Sequence, residues 1–265
     1  MMRDITYTLM DPTQNYTILV ETPVPEALQP ETASKLMEKE PCSEQVGFLS
    51  KREDCDIVLR MAGGEFCGNA TMSTAAFCDM HAKETKRHVT VAASGVPDPL
   101  EVQLNRISES SWWGTVNMPE VSAIETVELC AGHHYPVVRF SGIAHVIVEE
   151  TMERKRAEQF AREWCAILKQ EAVGLMFYDR SAFRLKPLVH VPSAGTMCWE
   201  SACGSGTSAV GAYLAAKQNH EITVSLKQPG GTLVITAKPF GALKLSGMVK
   251  YMHQKTVSIE YETGV

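Results

Sequence analysis

The chain has 265 residues, a formal net charge of -6 and an isoelectric point near 5.8. The acidic balance carries no basic stripe, so nucleic acid is not an expected partner; Arg154-Lys155-Arg156 sits among Glu149, Glu150, Glu153 and Glu158 and reads as a solvated helix face. No apolar run approaches the ~18 residues of a membrane span. Met1–Asp11 has neither an apolar core nor a small-residue cleavage site, so the expected location is cytoplasmic, with no membrane partner. The eight cysteines are then expected as thiols, and without a C-x-x-C pair they suggest no metal site.

In chain order, Asn15–Glu21 opens with a polar residue and continues as a β-branched strand. A helix is expected over Glu31–Glu40, then strand-like Val46–Leu49 and Asp56–Met61. Phe66-Cys67-Gly68-Asn69-Ala70-Thr71 leads into an apolar helix, Met72–Met80, and strands Val89–Ala93 and Leu100–Leu104 flank a Gly/Pro turn. Trp112-Trp113 reads as strand packing, Pro119–Gly132 as the boundary between halves, and His133-His134 as a solvated loop beside it. The order then repeats. His145–Glu149, a helix over Met152–Lys169, Val173–Met176 and Arg184–Val191 precede Ala202-Cys203-Gly204-Ser205-Gly206-Thr207 and a second apolar helix, Ser208–Ala216. Strands Ile222–Leu226 and Thr232–Ala237 follow around Gln228-Pro229-Gly230-Gly231. Cys67 and Cys203 lie 136 residues apart, Val89 and Ile222 133 apart, the near-constant offset of a duplication. His190 is expected as a satisfied core histidine, and Leu243–Met248 and Thr256–Glu262 as strands returning to the first half.

An Ala-rich helix that is apolar on most faces is a buried one, so each half is expected to be an α+β unit whose strands wrap around its helix. The halves are placed at 1–120, completed by a C-terminal strand over 250–265, and at 121–249, with the active site in the cleft between them.

A Cys-Gly step at a helix start puts a thiol beside unpaired N–H groups and the positive end of the helix dipole, which lowers its pKa. The glycine admits a ligand close to the backbone, and the helix end favours a carboxylate. One such cysteine is usually structural. Two in matching positions of a duplicated chain point to chemistry: one sulfur removes an α-proton as thiolate and the other returns a proton to the opposite face. No pyridoxal phosphate or other cofactor is called for. A dithiol redox protein and a non-catalytic amino-acid-binding module are the rival readings of the same pair.

Gly64-Glu65-Phe66-Cys67-Gly68-Asn69-Ala70-Thr71 and Trp199-Glu200-Ser201-Ala202-Cys203-Gly204-Ser205-Gly206-Thr207 resemble the two cysteine motifs of the diaminopimelate epimerase-like superfamily, over nearly the whole chain. That resemblance implies two pseudo-symmetric halves, each a barrel-like mixed sheet around a central buried helix. It also implies cofactor-independent, two-base inversion of an amino acid, with a homodimer as the assembly. Carried over residue by residue, Cys67 and Cys203 are the acid–base pair, while Gly68, Asn69, Gly204 and Ser205 cradle the α-carboxylate. Asn15 and Gln45 match substrate-contacting positions, and His145 falls where the superfamily has a histidine. Ile143 and the apolar Val173–Met176 stand where diaminopimelate epimerases need polar groups, and no Arg precedes the second cysteine, so diaminopimelate is disfavoured. The Asp-Arg-Ser-Pro-Cys pattern of proline racemases is absent, and the phenazine-biosynthesis branch lacks the cysteine pair. The fullest likeness is to histidine racemases of opine-metallophore (staphylopine-type) biosynthesis, through Glu44-Gln45-Val46-Gly47-Phe48, Trp199-Glu200 and Gln228-Pro229-Gly230-Gly231. Glu44 and Glu200 are candidates to hold an α-ammonium or an imidazole N–H. Racemisation or epimerisation of another amino acid is the alternative.

Overall fold

A computed structural model describes residues 1–261; the last four residues of the expected C-terminal strand lie outside the described residues. In chain order the elements are β1 (Met2–Pro12), β2 (Thr17–Val20), α1 (Gln29–Lys39), β3 (Gln45–Ser50), β4 (Ile57–Met61), α2 (Gly68–Met80), β5 (His88–Ala93), β6 (Leu100–Ser108) and β7 (Ser111–Asn117). There follow β8 (Ala123–Cys130), β9 (His133–Phe140), β10 (Ile143–Val148), α3 (Arg154–Leu168), β11 (Ala172–Asp179), β12 (Arg184–Val191), β13 (Thr196–Trp199), α4 (Gly204–Gln218), β14 (Ile222–Gln228), β15 (Gly231–Ala237) and β16 (Leu243–Glu260). Two compact units result, Met1–Asn117 with the chain from Ser246 onward, and Met118–Leu245. No helix among the described residues is long and apolar enough to cross a membrane.

In the first unit the strands run β1-β2-β3-β4-β5-β6-β7-β16, and β16 pairs back onto β1, which closes an eight-stranded barrel. Pairing is antiparallel except for β2–β3 and β4–β5. The second unit repeats the pattern. β9–β10 is antiparallel, β10–β11 parallel, β11–β12 antiparallel, β12–β14 parallel and β14–β15 antiparallel, with β8 beside β9 as β16 lies beside β1. Each parallel step needs a crossover, and the helices supply them. Both α1 and α3 are amphipathic: Ala33 and Leu36 of α1 join the core of β1, β2 and β3, and Ala157, Ala161, Trp164 and Leu168 of α3 join that of β9 to β12.

The helices α2 and α4 are buried on nearly every face and run inside their sheets. Small residues at the closest contacts let a helix fit there. A Cβ on Gly211 of α4 would come within 2.6 Å of Ile235 on β15, and one on Gly114 of β7 would press on Met72 of α2 at 3.1 Å. A glycine inside a helix costs about 1 kcal/mol relative to alanine, so Gly211 is held there by this close approach.

The units divide at Asn117/Met118, just before the Pro119–Gly132 stretch; β8 occupies most of that stretch, and His133-His134 open β9 rather than a loop. β8 ends the strand order as an edge strand, with Glu125, Thr126 and Glu128 exposed and Leu129 buried. His190 is half-buried at the end of β12, its Nδ1 2.8 Å from the Thr196 carbonyl oxygen, and not in a core.

Candidate active site

Each central helix begins at a cysteine. Cys67 is the N-cap of α2 and Cys203 that of α4, both in extended conformation (φ -133°, ψ 112° and φ -107°, ψ 112°). The Cys67 sulfur accepts the Ala70 N–H at 3.4 Å, and the Cys203 sulfur the Gly206 N–H at 3.3 Å. Sulfur thus takes the place oxygen has in an Asp or Ser cap, and receives a donor that favours negative charge. The first turns match further: Thr71 and Thr207 hydroxyls donate to the Cys67 and Cys203 carbonyls at 2.8 and 2.6 Å. One position out of step, Ser73 and Ser208 donate to the carbonyls of Asn69 and Gly204, each at 2.9 Å.

In the first unit four expected binding residues meet in one network. Asn15 Oδ1 accepts from Gln45 Nε2 at 2.8 Å and from Asn69 Nδ2 at 3.0 Å, while Asn15 Nδ2 donates to Glu44. Gln45 also donates to Thr17 Oγ1 at 2.7 Å. Asn15 is delivered by a strained turn: Thr13 and Gln14 both have φ of +60°, each costing on the order of 1 kcal/mol without a glycine. The loop before Cys67 rests on the β5–β6 turn, where Ser94 Oγ accepts the Met61 N–H and donates to the Glu65 carbonyl at 2.7 Å. Gly95 there has φ +78°, and a Cβ would strike the Phe66 nitrogen at 2.4 Å, so no other residue fits.

The second unit uses the equivalent turn in the same way. Gly230 N–H donates to the Ser201 carbonyl at 2.8 Å. Gln228 accepts the buried Cys203 N–H at 2.9 Å and donates to Thr207 Oγ1 at 2.8 Å. Sequence reasoning placed Gln228 and Ser94 only in turns, because each finds its partners more than twenty residues away.

The surroundings of Cys203 reverse one expectation. Its thiol pKa is pushed well above the usual value, first by burial and then by the Glu200 carboxylate, which is also its hydrogen-bond partner; Ser205 and the Gly206 N–H pull the other way and lose. Ser205 Oγ lies 3.5 Å from the sulfur. The helix end alone would have lowered it, and here desolvation and a carboxylate outweigh that effect.

Behind Cys203 stands an apolar stack. A Cβ on Gly206 would meet Met176 Sδ at 2.1 Å and Cys203 Sγ at 3.2 Å, and one on Gly174 would meet His145 Nδ1 at 2.2 Å. His145 is wholly buried, and burial draws its pKa down to about 3, so the ring is neutral. Its edge faces Phe140 with centroids 5.9 Å apart, and neither ring nitrogen has a hydrogen-bond partner among the described residues.

A sequence profile of the histidine racemase CntK N-terminal domain matches residues 4–254. The histidine racemase of Staphylococcus aureus is 28% identical over 246 residues, 88% of this chain and 89% of that one. The histidine racemase of Fusobacterium nucleatum is 30% identical over 234 residues, 84% of this chain and 86% of that one. Among solved structures, a predicted epimerase from Pseudomonas aeruginosa aligns with a TM-score of 0.73 at 14% identity, over 96% of this chain and 99% of that one. A hydroxyproline epimerase from Agrobacterium vitis aligns at 0.67 and 11%, over 97% and 93%. The molecule is an isomerase of the amino-acid racemase class, with the two-unit α+β barrel-like fold of the epimerases. Within that class the chain belongs to the family of the histidine racemase CntK N-terminal domain.

Proposed function

We propose that the protein interconverts L- and D-histidine by moving the α-proton with two thiols, those of Cys67 and Cys203. The observation that carries this reading is the repeated cap: the only two cysteines that begin central helices among the described residues do so in the same extended conformation and with the equivalent N–H···S bond. The identity of the curated relatives supports histidine as substrate.

In this reading Cys67, as thiolate, takes the α-proton. The C–H bond breaks, its electron pair passes toward the α-carboxylate, and an S–H bond forms. Cys203, a thiol at rest, gives its proton to the opposite face and becomes the thiolate. The N–H groups of Gly68–Asn69 and Gly204–Ser205, at the two helix starts, hold the carboxylate as charge builds on it. Glu200 makes Cys203 a reluctant acid and, once the proton has left, a strong base, which suits the reverse reaction starting from the other enantiomer. Glu44, aligned by Asn15 and Gln45, holds the α-ammonium or the imidazole N–H.

The test is a panel of L-amino acids incubated with reduced enzyme in deuterated water without added pyridoxal phosphate. Histidine is expected to gain α-deuterium and yield its D form, and Cys67→Ser and Cys203→Ser to abolish that yield. Exchange in another amino acid but not histidine would reassign the substrate; racemisation surviving both substitutions would remove the two-thiol mechanism.

A further inference from the structure

Glu200 follows β13, a four-residue strand whose Thr196 and Cys198 are exposed. β13 is held by its pairing with β12 and by Met197 and Trp199, both packed against the core of the second unit, and of the two Trp199 is the immediate neighbour of Glu200. The Trp199 indole is stacked on Phe177 of β11, with centroids 5.5 Å apart and planes at 21°. The Arg154 guanidinium lies over the ring, 5.5 Å from its centroid. The indole Nε1–H donates to Glu158 Oε1 at 2.9 Å, and Arg154 Nε reaches the same oxygen at 3.0 Å. Trp199 is opposite Leu188 of β12, and the Glu200 N–H continues the ladder onto the Pro187 carbonyl at 3.1 Å. Successive side chains of a strand point to opposite faces. Locking the indole on the α3 side therefore commits Glu200 to the side on which it meets the Cys203 thiol, and a slip of one residue would turn it away.

We propose that Trp199 is a positioning residue for the reaction: the clamp of Phe177, Arg154 and Glu158 on its indole holds the Glu200 carboxylate against the Cys203 thiol. The inference rests on the acid–base role proposed for Cys203. Among the described residues, the polar groups acting on that sulfur include Glu200, Ser205 and the Gly206 N–H; Gln228 takes its backbone N–H, and His145 behind Met176 is neutral. Around the indole the charged groups are Arg154 and Glu158, with Arg162 acting on Glu158.

The experiment compares Trp199→Ala, Trp199→Phe, Glu200→Gln and the Trp199→Ala/Glu200→Gln pair by two readouts. One is the pH titration of the ultraviolet thiolate absorbance of Cys203, taken as the difference from the same protein carrying Cys203→Ser. The other is kcat and KM for histidine. Glu200→Gln is expected to lower the titration midpoint by about one pH unit, as loss of a neighbouring like charge does. Trp199→Ala is expected to lower it similarly and to cut kcat about 10- to 100-fold with KM far less affected. Trp199→Phe keeps a ring on Phe177 and loses only the bond to Glu158, so it gives a smaller shift and a readable result should the alanine variant unfold. On the Glu200→Gln background Trp199→Ala should move the midpoint no further. A midpoint unmoved in both Trp199 variants, or a second shift in the pair, overturns the inference. Racemisation that persists in Cys203→Ser instead overturns the acid–base role of that thiol, and is told apart by requiring no Trp199 variant.

Discussion

Gly206→Ala tests the site where its packing is tightest. Gly206 is the third residue of α4, and its N–H caps the Cys203 sulfur at 3.3 Å. An added Cβ would lie 2.1 Å from Met176 Sδ and 3.2 Å from Cys203 Sγ, and Met176 is wholly buried. Overpacking of this kind costs about 1–3 kcal/mol, and alanine in place of glycine returns up to about 1 kcal/mol of helix propensity. The net loss of stability is expected to be about 0–2 kcal/mol, measured by urea unfolding. The rate should suffer more, because the neighbours that must move are the cap and the wall of the thiol. We expect kcat/KM for histidine to fall about 10- to 100-fold. Gly211→Ala is the control. It strikes Ile235 at 2.6 Å, five residues further along the helix and away from the sulfur. It should lose comparable stability and keep its activity. Adding Met176→Ala to Gly206→Ala should restore part of the rate, non-additively. An equal loss of activity in both glycine variants, or a Gly206→Ala enzyme of normal rate, would refute the idea that the Gly206 contact sets the thiol's geometry.

Gln228→Leu leaves the buried Cys203 N–H without its acceptor and Thr207 without a donor, so stability should fall by about 1–3 kcal/mol, together with turnover; an unchanged urea midpoint would show the bond to be dispensable. Glu40 makes an acid-limb prediction. Burial alone would raise its pKa, but hydrogen bonds from Lys255, Tyr7 and His253 at 2.7, 2.8 and 2.9 Å hold it down at about 2, against an ordinary 4.5. A folded pKa below the unfolded one means stability that is complete above about pH 4.5 and is lost as pH falls toward 2. The gap is worth about 3 kcal/mol. Glu40→Gln should flatten that part of the stability-against-pH curve, and an unaltered acid slope would exonerate Glu40.

The parts legible in the sequence were those written in residue type and repetition. Two Ala-rich stretches behind two Cys-Gly steps announced buried helices with thiols at their starts, because small residues are what an enclosed helix requires. Asn15, Glu44, Gln45 and Asn69 were each singled out one by one, and the network that joins them through Asn15 needed the barrel to appear. The β8–β9 hairpin stayed hidden because an edge strand with exposed Glu125 and Glu128 has the composition of a linker. The state of Cys203 was misjudged for a different reason. Helix position can be read along the chain, but desolvation by strands from elsewhere cannot, nor can the direction in which Glu200 points.

The closure of the first barrel by β16 has a consequence for synthesis. The second unit is one contiguous stretch, Met118–Leu245, so it needs no strand from elsewhere in the chain to fold as a unit. The first unit, though translated earlier, keeps β1 and β7 as open edges until β16 arrives to pair with both. Until that pairing, both edges are open to wrong partners.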